Sequence, residues 1–162
     1  METSIGSLKL ANPVMTASGT FGGLYGQVFD LDRLGAVVLK TVTAKERRGN
    51  PTPRVAETAS GMLNSIGLEN KGIDRFLAEE LPAYAALQTR VIPNIAGKDV
   101  EEFRLLAARM AEAARADAVE LNLSCPNVSG GAGFRHPSPA DRAGGSSGQT
   151  GAQGAADRQT HP

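Results

Sequence analysis

The chain predicts a parallel α/β fold, on three observations. Apolar runs at Ala36-Val37-Val38-Leu39, at Arg90-Val91-Ile92-Pro93-Asn94-Ile95 and from Ala118 to Leu123 read as strands buried on both faces. Helical spacing of apolar residues separates the first from the second and the second from the third. Polar residues gather where the runs stop, with Lys40-Thr41, Asn94, Asn122 and Cys125 all at carboxyl ends. In parallel α/β architectures that edge carries ligands and chemistry.

Each element has its own local reason. Ser7-Leu8-Lys9-Leu10 and Pro13-Val14-Met15-Thr16 are short extended runs around Ala11-Asn12, which predicts an opening hairpin turning there. After the Ala36 run comes a loop punctuated by glycine and proline, through Gly49-Asn50-Pro51-Thr52-Pro53-Arg54 to Gly67-Leu68. Loops that long in compact domains tend to be functional. Phe76, Leu77, Leu81, Tyr84 and Ala85 follow Asp74 at helical spacing, so a helix runs to about Leu87, with Pro82 as a kink. The next helix opens on Asp99 as cap with Glu102 three residues on, and its stripe is Val100, Phe103, Leu106, Ala107, Met110, Ala111 and Ala114.

Composition sets the outer bounds. Seventeen basic and seventeen acidic residues cancel, which argues against broad attraction to nucleic acid or a membrane surface. The cluster Lys45, Arg47, Arg48 reads as a solvated loop. No run approaches the roughly 18 apolar residues of a membrane span, and the start has neither a basic n-region nor an apolar h-region. One cysteine leaves no internal disulfide framework, so a reducing cytoplasm is the simplest compartment. From Arg135 to Pro162 there is no Val, Ile, Leu, Met, Phe, Tyr, Cys, Lys or Glu. Such a tail buries too little apolar surface to offset its ordering entropy and is expected to be disordered, leaving residues 1–134 as the foldable part.

The densest chemistry lies in Glu120-Leu121-Asn122-Leu123-Ser124-Cys125-Pro126-Asn127. Pro126 cannot continue a hydrogen-bond ladder, so Cys125 falls at the end of the strand between two asparagines. A thiol there is a candidate acid or base, set against the commoner case of an inert buried side chain, because thiol reactivity is set by its surroundings.

These residues resemble a family, the class 1 dihydroorotate dehydrogenases, and within it the NAD-linked 1B type. The motifs are Asn12-Pro13 with Ala17-Ser18-Gly19-Thr20-Phe21-Gly22, Lys40-Thr41-Val42-Thr43, Gly49-Asn50-Pro51-Thr52-Pro53-Arg54, Gly61-Met62-Leu63-Asn64-Ser65-Ile66-Gly67-Leu68-Glu69-Asn70, Asn94-Ile95-Ala96-Gly97 and Asn122 to Asn127. They run in the family's order to about Val128, roughly the first half of such an enzyme. The resemblance implies the N-terminal half of a (β/α)8 TIM barrel, with FMN at the carboxyl-end mouth and dihydroorotate stacked on the flavin. Cys125 is then the general base. Ser18, Lys40, Thr41, Asn94 and Asn122 are implied to contact FMN. Lys40, Asn64, Ser65, Ile66, Gly67, Leu68, Asn122 and Asn127 are implied to contact substrate. No metal ligand is implied. The partner expected of the 1B type is an electron-transfer subunit that carries FAD and a 2Fe-2S cluster and serves NAD, joined to a homodimeric core in a heterotetramer.

After Val128 the resemblance stops. The family's second flavin lysine and the glycine-rich loops that cradle the FMN phosphate do not appear in residues 129–162. Read one nucleotide later, Arg158-Gln159-Thr160-His161-Pro162 permits a Val-Lys-Leu-Thr stretch like the missing lysine motif, so the tail is expected to be a shifted reading frame and the chain inactive. Two other readings use the same residues: a lyase forming a Schiff base on Lys40, and a non-catalytic fragment that binds the electron-transfer subunit.

Overall fold

The computed structural model describes residues 1–19, 21 and 26–123. The chain opens with an antiparallel hairpin, β1 (Thr3–Ile5) against β2 (Leu8–Leu10). Its turn is Gly6-Ser7 and not Ala11-Asn12. Gly6 takes φ +58°, the left-handed sign that two-residue hairpin loops require at their first position. The second extended run goes elsewhere, and Met15 bridges in parallel to Ala36.

That bridge starts the parallel sheet. β3 (Ala36–Val38) pairs in parallel with β6 (Arg90–Ile92), and β7 (Asn94–Ile95) pairs in parallel with β8 (Glu120–Leu121). A bridge from Val42 to Ile95 joins the two pairs. Strand order is therefore the Met15 segment, the β3 strand, the β6–β7 strand and β8, the first four positions of a (β/α)8 barrel. Pro93 divides β6 from β7 because it has no N–H to give the ladder.

Two apolar clusters separate the faces of this sheet. Val37, Leu39, Val42, Val91 and Ile95 pack outward against Ile73, Phe76, Leu81, Phe103, Leu106 and Met110 of the helices. Leu10, Ala36, Val38 and Ile92, with Leu8 and Ala118 beside them, form the inner cluster, so the opening hairpin closes the barrel floor. Leu121 and Leu123 were expected in a strand interior but are 50% and 40% exposed, because β8 is paired only on its β7 side among the described residues.

The helices follow the sequence with two amendments. Residues 73–84 are helical throughout, as α1 (Ile73–Arg75), a π-helical turn Phe76–Glu80 and a 3₁₀ turn Leu81–Tyr84. The Leu81 N–H donates to the Phe76 carbonyl, a wide turn just before Pro82, whose ring would collide with the carbonyl four residues back in a regular α-helix. α2 (Val100–Ala111) is capped by Asp99, which accepts from the Glu102 N–H at 2.8 Å. Phe103, Leu106 and Met110 are buried, whereas Val100, Ala111 and Ala114 are exposed and lie off the expected stripe.

The presumed long loop holds a second hairpin, β4 (Val55–Thr58) against β5 (Gly61–Asn64), with all eight residues exposed. Its alternation is weak because neither face is buried, so hydropathy gave no strand signal.

Candidate active site

The carboxyl end of β3 is irregular. Val38 pairs with Ile92 and Val42 with Ile95, so Leu39, Lys40 and Thr41 lie opposite only Pro93 and Asn94. The Leu39 N–H donates to Ile92 O at 3.0 Å, and the next ladder bond comes from Val42 N–H to Asn94 O at 2.9 Å. This bulge changes strand parity, so Val42 joins Val37 and Leu39 in the outer core. Lys40, one alternation beyond Val38, continues the inner face and is exposed, while Thr41 is buried. Bulges of this kind re-aim side chains beside active sites.

The same inner face carries three more polar side chains. Asn94 follows Ile92 by one alternation, and Glu120 and Asn122 follow Ala118. Register places Asn94 directly opposite Glu120, and Asn94 Nδ2 donates to Glu120 Oε1 at 2.5 Å. The Asn122 N–H donates to Ile95 O at 2.9 Å, which fixes its backbone and leaves the half-buried amide on the inner side. Asn94 is 2% exposed, yet its Oδ1 has no hydrogen-bond partner among the described residues. Buried polar atoms without partners are uncommon and call for a ligand or water.

A second group of expected residues sits on a strapped loop. Asn64 ends β5 and is exposed, and Ser65, Ile66, Gly67 and Leu68 are half-buried. Asn50 holds them through its N–H to Ile66 O (3.0 Å) and its Nδ2 to Ser65 O (3.0 Å) and Ser65 Oγ (2.9 Å). Gly49, at φ +71°, makes this approach possible, since a Cβ there would lie 2.3 Å from Ile66 O. Leu68 itself takes φ +59°, a left-handed conformation uncommon outside glycine and asparagine.

Asn70 holds the strained turn to the end of β3. Its Oδ1 accepts from the N–H groups of Thr43 (3.2 Å) and Gly72 (2.9 Å), and its Nδ2 donates to Leu68 O (2.9 Å) and Thr43 Oγ1 (3.0 Å). Loop 64–68 is thus tied three residues beyond Lys40. Asn70 and Glu120 were missed as candidates. An acceptor facing a lone buried asparagine leaves no sequence signal except opposite positions on neighbouring strands.

Lys40, Asn94 and Asn122 are brought to one face; loop 64–68 is tethered to its edge; Ser18 lies half-buried beyond the Met15 bridge. Cys125 and Asn127 lie outside the described residues. Far from this edge, at the amino ends of the strands, Arg115 donates to the carbonyls of Leu87 (2.7 Å) and Thr89 (2.6 Å) and to Asp117 (2.9 Å). Asp117 Oδ2 also accepts from the Val91 N–H at 2.9 Å, and features at that end serve stability. Among the described residues no group of acidic, histidine or cysteine side chains could hold a metal, and no helix is long and apolar enough to cross a membrane.

Comparison with known proteins decides the family, because the dihydroorotate dehydrogenase family matches residues 1–143. The chain belongs to the dihydroorotate dehydrogenase family. It is 50% identical over 133 residues to the dihydroorotate dehydrogenase B (NAD(+)) catalytic subunit of Thermoanaerobacter sp. strain X514. The protein of the same name from Desulforamulus reducens is 53% identical over 135 residues. Each alignment covers 81% of this chain and 44% of the relative, so the chain spans under half the length of these curated relatives. Among solved structures, a dihydroorotate dehydrogenase from Eimeria tenella crystallised with ferulenol superposes with a TM-score of 0.62 at 24% identity, covering 84% of this chain and 40% of that one. The expected α/β barrel architecture is the one observed.

Proposed function

We propose that residues 1–134 form the first half of the FMN-bearing catalytic subunit of a cytoplasmic, NAD-linked dihydroorotate dehydrogenase, which oxidises dihydroorotate to orotate in pyrimidine biosynthesis. The observation that carries this reading is the inner-face line of Lys40, Asn94 and Asn122 at the strand ends, with a buried amide oxygen that lacks a donor among the described residues. That orphaned acceptor fits a flavin, whose oxidised ring offers one imide N–H. Asn94, Lys40, Thr41, Ser18 and Asn122 are the residues that would hold it.

The chemistry a bound FMN supplies is acceptance of the hydride from C6 of the substrate. Lys40, a fixed cation at the mouth, opposes the negative charge that gathers on the ring. Asn122 and Asn64, with Asn127, offer donor and acceptor together and so match the alternating N–H and C=O edge of dihydroorotate. The backbone of loop 64–68 would line the substrate pocket, its turn at Leu68 held by Asn70. Cys125 would take the C5 proton as the general base. The partner that would accept the electrons is a subunit carrying FAD and a 2Fe-2S cluster, bound to a homodimeric core.

Residues 135–162 belong to the same proposal as an out-of-frame translation, so the chain alone is expected to lose FMN on purification and to turn over little dihydroorotate. The coding DNA tests this: a shifted frame that meets an early stop, or encodes no further apolar helix and strand, refutes it, as does stoichiometric FMN in the purified chain. The reading of the site is tested by orotate titration of the chain with added FMN. Binding that Lys40→Ala and Asn122→Ala each weaken by about tenfold supports it; binding indifferent to both refutes it.

A further inference from the structure

We propose that Glu120 is a positioning residue, which holds the Asn94 amide so that its Oδ1 is presented as acceptor to the imide N–H of the flavin. The inference rests on the functional reading above and adds a residue to it. A carboxylate only accepts hydrogen bonds, so the amide nitrogen of Asn94 must face Glu120 and the oxygen must face away. Without the carboxylate, the amide is free to turn and offer a donor to a donor.

Packing alone does not account for a glutamate at this position. It is half-buried on a strand, where a carboxylate is costly unless bonded, and among the described residues its side-chain partner is Asn94 alone. A carboxylate acceptor makes this bond charge-assisted, the kind that fixes orientation. The atom it leaves over is the buried, unpartnered Oδ1 on the barrel's inner face.

The test has two arms on the full chain. Side-chain amide signals of Asn94, followed by NMR without flavin, are expected to be protected from exchange in the wild type and in Glu120→Gln, which keeps an acceptor, and to lose protection in Glu120→Ala. Fluorescence titrations with FMN and with its 3-methyl derivative, which lacks the imide N–H, then read the ligand side. The wild type is expected to prefer FMN by at least about fivefold, the worth of one hydrogen bond. Glu120→Ala is expected to cut that preference below about twofold, and Glu120→Gln, which can donate as well as accept, to leave it between the two. A purely structural role would weaken both flavins equally and leave the ratio unchanged, which overturns the inference. An amide signal that Glu120→Ala leaves untouched overturns it as well, whether or not flavin binds. No binding of either flavin to the wild type, even in large excess, overturns the ligand assignment, and the amide-exchange arm then decides the positioning role by itself.

Discussion

Replacing Asn70 with alanine tests whether one side chain holds loop 64–68 to the barrel. Four hydrogen bonds vanish at once. The two best placed, from the Gly72 N–H and to Leu68 O, are both 2.9 Å, and a third reaches Thr43 Oγ1 at 3.0 Å. At a net worth of about 1 kcal/mol each, three bonds sum to about 3 kcal/mol. The site is only half-buried, so water recovers part of this and a loss of about 2 kcal/mol is expected. Asn70→Asp separates the two roles of the side chain. It keeps the acceptor for Thr43 and Gly72 but sets a carboxylate oxygen against the Leu68 carbonyl, so local protection around Leu68 should fall while that of Gly72 persists. Urea unfolding measures the total, and hydrogen exchange of the Thr43 and Gly72 amides localises it. A loss under about 0.5 kcal/mol for Asn70→Ala, or the same exchange pattern in both variants, would refute the claim that Asn70 organises this loop.

Three other outcomes are expected. Leu106 is fully buried between α2 and the sheet, so Leu106→Ala should cost about 2–5 kcal/mol in urea unfolding, and a cost below 1 kcal/mol would mean that this face of α2 is not packed as described. Gly49→Ala forces a left-handed alanine against Ile66 O; it should abolish exchange protection of the Asn50 N–H, and an unchanged rate would remove the strap from the account. Glu79 is held below its ordinary value of 4.5 first by its hydrogen bond with Arg75, then by that with Lys71. Because the folded value is the depressed one, its contribution is present above the unfolded value and disappears as pH falls through the folded one. An NMR titration should show Glu79 titrating below 4.5 in the wild type and closer to it in Arg75→Ala; identical curves would remove the pair.

Much of the architecture was legible from the chain because its signals are local. Buried parallel strands need continuous apolar runs, an N-cap needs Asp99 with Glu102 beyond it, and both follow from backbone chemistry within a few residues. The ordered motifs also determined the family, and with it the expected roles of Lys40, Asn94 and Asn122. Elements that rest on weak or competing local signals were less legible. The first turn fell at Gly6-Ser7 because the Met15 segment found a partner in Ala36, 21 residues on in sequence. The exposed β4–β5 hairpin left no hydropathy pattern, and the π-turn before Pro82 settles a conflict between a helical stripe and a residue without an N–H.

Only the tertiary structure decided how the polar strand ends are used. The β3 bulge sets Leu39, Lys40 and Thr41 against only Pro93 and Asn94 of a strand distant in sequence, and it sends Val42 outward just beyond exposed Lys40. Register between β7 and β8 set Glu120 against Asn94 and left one buried oxygen without a donor among the described residues. Residue types and their order lie in the chain, but which atom remains unsatisfied depends on pairing between strands that no local pattern encodes.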